Sequence, residues 1–132
     1  AELREQLAEA AQAAGRPLPP VAVWLPCAVD PAPETLRQLK HGLVGYLAAL
    51  GYGEMMAAAG FAELVDFART RPHPKQLLEA MPDALIATLG LLGDAAAVRE
   101  RLDAYAEAGA DEVCLVPATA GDDSGRRTLS AL

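Results

Sequence analysis

The sequence is poor in aromatic residues, in cysteine and in positive charge, and it has no long apolar run. Aromatics make up 5% of the 132 residues, so the core must be aliphatic. The two cysteines, Cys27 and Cys114, lie far apart and do not make a disulfide framework. A reduced cytoplasm is therefore the expected compartment. No stretch approaches the roughly 18 apolar residues of a membrane span. Lys and Arg number 11 against 18 Asp and Glu, for a net charge of -7. Such a chain repels phosphate backbones, which excludes nucleic acid as the expected partner. Paired carboxylates, a nucleophile–base set and a phosphate-binding loop are all missing, so no catalytic residue is assigned. Neither His41 nor His73 has a partner at ligand spacing, so no metal is expected and both histidines read as surface or loop residues.

What remains is 52% hydrophobic, led by alanine and leucine. That composition suits one helix-rich domain over 1–132. Ala1–Ala14 reads as an amphipathic helix and not a signal peptide. It has no cap before Ala1 and resembles a cut end. Val21–Val29 is apolar on both alternating faces, as a parallel strand buried between layers is. Pro26 cannot donate to a ladder, so pairing should weaken near it. Asp30 offers an N-cap, and Leu36, Leu39, Leu43, Leu47 and Leu50 continue a helical stripe. Short helices are expected over Glu54–Ala59, stopping at Gly60, then Phe61–Arg69, Lys75–Ala80 and Ala84–Leu89. Asp94 caps a helix with a buried stripe of Val98, Leu102 and Tyr105, and with Arg99 paired to Asp103. Glu112–Pro117 is the second apolar strand. Residues 118–132 are a polar tail ending in a short helix.

Two such strands joined through helices should run parallel. Two parallel strands alone expose unpaired backbone at both edges. More strands are therefore expected, from further sequence or from another copy.

The run Gly93-Asp-Ala-Ala-Ala-Val-Arg-Glu-Arg-Leu-Asp-Ala-Tyr-Ala-Glu-Ala-Gly-Ala-Asp-Glu-Val-Cys-Leu-Val-Pro117 resembles the closing helix and strand of luciferase-like monooxygenases. Ala13–Pro17 with Val21–Val29 resembles that family's penultimate helix–strand unit. Gly125–Leu129 is similar to the branch that uses coenzyme F-420. The resemblance implies an α/β fold: a helix-rich C-terminal fragment of a (β/α)8 TIM barrel carrying two parallel strands, 21–29 and 112–117. These would be barrel strands seven and eight, with 31–92 as an enlarged helical connection. It further implies a parent oxidoreductase moving a hydride between coenzyme F-420, or FMN as second choice, and a small organic substrate. The cofactor-binding residues would lie on absent sequence, and the fragment alone would be inactive with no cofactor held tightly.

In such barrels the active site lies at the C-terminal ends of the strands. Position alone makes Pro26, Cys27, Val29, Pro117 and Thr119 candidates for the barrel mouth, with ordinary core packing as the competing reading. Trp24 has a planar ring that could stack on a cofactor, though a strand tryptophan is more often core. Cys27 and Cys114 read as free buried thiols on neighbouring strands. Arg126 and Arg127, at the start of the last helix, are a possible anion contact, opposed by Asp122 and Asp123. The partners expected are the missing N-terminal part of the barrel or a second copy. The alternative function is a non-catalytic, self-associating helical α/β interaction module.

Overall fold

The computed structural model describes residues 2–132. The order is α1 (Glu2–Ala13), β1 (Ala22–Val29), α2 (Pro33–Leu43), α3 (Tyr52–Met56), α4 (Ala62–Arg69), α5 (Pro74–Ala80), α6 (Asp83–Leu89), β2 (Leu91–Gly93), α7 (Ala95–Glu107), β3 (Glu112–Pro117) and α8 (Arg126–Ala131). The uncapped helix start expected at Ala1 lies outside the described residues.

The two expected strands form and pair in parallel, Ala22 opposite Glu112 through Cys27 opposite Pro117. A third strand was not expected. Leu91–Gly93 pairs in parallel with Cys27–Val29 on the other side of β1, giving the order β2-β1-β3. The connection 31–92 is thus not wholly helical. Three residues are too few to carry a periodic signal. Gly90 lets the chain enter β2: a Cβ there would stand 2.9 Å from the carbonyl oxygen of Pro26.

Pairing does not weaken at Pro26, which sits opposite Val116 inside the β1–β3 ladder. The reason is the direction of the backbone groups. Val21 and Cys27 turn their carbonyls to β3, accepting from Glu112 N at 3.2 Å and Ala118 N at 2.9 Å. Asp30 turns its N–H to β2, donating to Gly93 O at 2.8 Å. Odd residues of β1 therefore face β3 and even residues face the opposite edge. The donor that Pro26 lacks belongs to that opposite edge. By the same parity, even residues of β3 face β1, and Pro117 lacks its donor on the outer edge of β3.

Two apolar clusters hold the molecule. One unites Leu25, Cys27, Val29, Leu91 and Val98, with Leu102, Tyr105 and Leu115 packed against it. This is the helix-covered face of the sheet. The other lies within the connection and unites Leu47, Met56, Val65, Leu77, Met81, Leu85 and Ile86. Several local expectations change. The stripe of α2 ends at Leu43, after which Tyr46 N and Ala49 N donate three residues back in tight turns. Gly42 and Gly45 weaken the helix there, and Leu50 is 93% exposed. Asp30 is not the cap of α2; it takes a left-handed turn at φ 48°. Ala32 begins the helix, its N–H donating to Thr35 Oγ1 at 3.2 Å. The stop expected at Gly60 is present: at φ 100° this residue is non-helical and separates the helical path before it from α4. Arg99 donates to the Ala131 carbonyl, fastening α8 to α7, in place of the expected pair with Asp103.

At the opposite end of the sheet, Asp111 Oδ2 accepts from Val21 N at 2.8 Å and from Arg4 at 2.7 Å. Arg4 also donates to Gly109 O at 2.7 Å. One carboxylate thus ties α1, β1 and the turn before β3. The hydrogen bond and the charge of Arg4 help hold the Asp111 carboxyl below its usual range.

Candidate functional site

The side chains of β1 and β3 alternate between two faces. Leu25, Cys27 and Val29 point into the helix-covered cluster. Trp24, Pro26, Cys114 and Val116 occupy the other face. There Trp24 is 75% exposed and Val116 45% exposed. A cleft of about 710 Å³ opens beside them along β1. Trp24, Pro26, Val116 and Pro117 line it from the strands, Gln38 from α2, and Tyr46, Tyr52 and Met55 from the segment beyond. The rings of Tyr46 and Tyr52 stand 4.8 Å apart, tilted by 59°. Every lining side chain is uncharged, so the cleft suits a neutral, apolar occupant.

The rim is built by hydrogen bonds. Gln38 Nε2 donates to Thr119 Oγ1 at 3.0 Å. Gln38 Oε1 accepts from Thr119 N at 2.9 Å and Ala120 N at 2.8 Å. Thr35 Oγ1, fully buried, donates to Ala120 O at 2.7 Å. These four bonds fix the loop after β3 on α2. No sequence signal marked Gln38, because its partners lie more than 80 residues away.

The mouth candidates divide. Pro26 and Pro117 reach the cleft, and Thr119 is held at the rim by Gln38. Cys27 and Val29 do not reach it; both are buried in the helix-side cluster. Burial pushes the Cys27 thiol up, and the charge of Asp122 adds to this. It stays a protonated thiol and is a poor nucleophile. Cys114 is half-buried on the open face. Trp24 is not core.

The anion contact at Arg126 and Arg127 is not supported. Asp122 Oδ1 accepts from Arg127 N at 2.8 Å and Oδ2 from Thr128 N at 2.9 Å. The protein's own carboxylate fills the place an anion would take. Burial works to raise the Asp122 pKa, but the bonds from Thr128 and Arg127 outweigh it and hold it low. Thr128, fully buried, accepts from Val29 N at 3.1 Å, so this knot binds α8 to the end of β1. Arg127 also reaches the carbonyls of Val29 and Asp30, each at 3.4 Å. His73 is a helix cap: its Nδ1 accepts from Lys75 N at 3.2 Å, and its N–H donates to Gln76 at 3.1 Å. His41 is exposed on α2. Among the described residues, no three His, Cys, Asp or Glu side chains are grouped to hold a metal, and no helix is long and apolar enough to cross a membrane.

A family model described as luciferase-like monooxygenase matches residues 1–112. That span covers β1, the whole connection, β2 and α7, and stops where β3 begins. No curated protein and no solved structure matches the chain.

Proposed function

Since the chain belongs to the luciferase-like monooxygenase family, a family of flavin- or F-420-type oxidoreductases, we propose that it is the C-terminal part of a (β/α)8 barrel. The parent enzyme moves a hydride between coenzyme F-420 and a small organic substrate, with FMN as the second choice of cofactor. In this reading β1 and β3 are neighbouring barrel strands, and residues 31–92 are the enlarged connection between them. Strand β2 closes that connection, since it meets only the last three residues of β1. Residues 118–132 are the tail, and the enzyme works in the cytoplasm.

One observation carries the proposal. Parallel sheets are covered on both faces, yet here helices cover one face, and on the other β1 is buried only at its end, at Ala28. The other presents Trp24 and Val116 to solvent. In a barrel the covered face looks outward to the helices and the open face looks inward to the packed interior. The face with Trp24, Pro26, Cys114 and Val116 suits that interior.

The cleft fits part of the cofactor. Its aromatic, uncharged lining suits one side of a planar ring, with Trp24, Tyr46 and Tyr52 as the side chains that would flank it. It offers no cation to a phosphate, so the phosphate-holding groups lie on other sequence. When bound, such a cofactor supplies the hydride chemistry, and the protein supplies position and shielding. From this chain, Trp24 and Val116 exclude water and Gln38 holds the rim at Thr119.

Fluorescence titration of coenzyme F-420 and of FMN tests the reading. The 132-residue chain alone should bind neither tightly. The same chain extended by the residues that precede it in its reading frame should bind one of them. Tight binding by the short chain, or none by the extended one, would falsify the proposal.

A further inference from the structure

The Gln38 side-chain amide has one orientation open to it. Its Oε1 accepts from the backbone N–H groups of Thr119 and Ala120, which can only donate. The oxygen must therefore face the loop after β3, and both of its lone pairs are spent. Nε2 carries two hydrogens. Thr119 Oγ1 takes one at 3.0 Å, and among the described residues nothing accepts the other. Gln38 is exposed and lines the cleft. Its second hydrogen is thus a donor held in place without a protein partner.

The other polar groups of the cleft lean the same way. Trp24 has an indole N–H, which only donates. The hydroxyls of Tyr46, Tyr52, Tyr105 and Thr88 work in either sense, and Thr88 already gives its hydrogen to Ala84 O at 2.8 Å. No carboxylate lines the cleft. Apart from the weakly accepting methionine sulfurs, no free lining group is limited to accepting. The apolar walls call for an uncharged body, and the donors call for an oxygen that accepts.

We infer that Gln38 is a specificity-determining residue: the cleft takes as substrate a neutral ring compound whose carbonyl oxygen receives the free Nε2 hydrogen. That the compound is a substrate rests on the oxidoreductase reading; the cleft and its donor do not. In that reading the carbonyl carbon receives the hydride, the C=O π pair moves to the oxygen, and the oxygen takes a proton from water. The ketone becomes an alcohol as the reduced cofactor is oxidised. A donor already placed at that oxygen binds it more strongly as its charge develops.

Proton–nitrogen NMR of the 132-residue chain with 1-tetralone, an uncharged bicyclic ketone, tests the inference. The ketone should shift the Gln38 side-chain hydrogen that Thr119 does not take. Gln38→Glu keeps an oxygen for Thr119 N and Ala120 N, so the loop stays in place, but it removes the N–H donor. It should weaken tetralone binding by about fivefold or more. It should also prefer 1-tetralol, whose hydroxyl donates, where the parent chain prefers the ketone. A purely structural Gln38 would not reverse that preference. Riboflavin, a cofactor ring without phosphate, separates the two sources of a ring carbonyl. If riboflavin displaces tetralone and shifts the same hydrogen, the oxygen is the cofactor's and the substrate assignment fails. No shift of the Gln38 hydrogens, or equal ketone binding by Gln38→Glu with the Thr119 and Ala120 amides still in place, would also overturn the inference. The titration of coenzyme F-420 and FMN reads the barrel proposal separately, so either can fail alone.

Discussion

The two faces of one sheet carry nearly the same chemistry and meet opposite fates. Leu25, Cys27 and Val29 are buried under α7 and α8, whereas Trp24 and Val116 on the same strands are exposed. Hydrophobicity does not separate the two sets. What separates them is whether a helix lies above. Helices α7 and α8, which follow β2 and β3, pack back on one side, whereas α2, which follows β1, packs into the cluster of the connection and leaves Trp24 and Val116 open. A strand that is apolar on both faces therefore states a requirement for two covers, and the fold supplies one.

This contrast can be broken by paired substitutions. Leu25→Ala should lower stability by about 2–5 kcal/mol, because it opens a cavity in a packed cluster. Trp24→Ala, one residue away, should stay within about 0.5 kcal/mol in urea unfolding. Equal losses at the two positions would mean that the open face is covered.

The two cysteines provide a second probe, one on each face. Cys114 should react with an aromatic disulfide reagent on the order of a hundredfold faster than Cys27, whose thiol is buried and raised in pKa. Equal rates in the folded protein would remove the distinction between the faces.

Gly90→Ala sharpens the comparison at the edge of the sheet. The added methyl would meet Pro26 O and Leu92. A loss of about 1–3 kcal/mol is expected, seen as a shifted unfolding midpoint. A neutral result would show that β2 does not press on β1.

The smallest effect concerns acid. Asp122, Asp111 and Glu54 all have lowered pKa values. A carboxyl lowered in the folded state stabilises it above the ordinary range near 3.9. That stability fades as the pH falls toward and through the folded value. Stability should therefore be level near neutrality and drop below about pH 4. Asp122→Asn should flatten part of that acid limb, loosening α8 from the covered face. Parallel acid limbs for the variant and the parent chain would show that Asp122 does not contribute.

Much of the fold was legible along the chain. Both long strands, their parallel sense and the helix capped by Asp94 follow from unbroken apolar runs and from turn residues beside them. Asp94 Oδ1 does accept from Ala97 N, at 2.8 Å. The misses share a cause. Strand β2 is too short to show a period. Leu50 continued a spacing whose helix had already ended near Gly42 and Gly45. Asp122 looked like repulsion beside Asp123 until the fold wrapped it over Arg127 and Thr128. Of the candidate site, Pro26, Pro117 and Thr119 were found by position at strand ends. Gln38, Tyr46 and Tyr52 were not, because their roles arise from segments brought together from distant sequence.

The sequence by itself determined both long strands, most of the helices, the acidic balance and the family, since local propensity, charge and residue pattern are written in consecutive residues. Only the tertiary structure decided which face of each strand is covered, where the prolines place their missing donors and which carboxylate occupies the start of α8. Those depend on the edge and side to which distant segments return, and burial and hydrogen-bond direction are properties of that assembly.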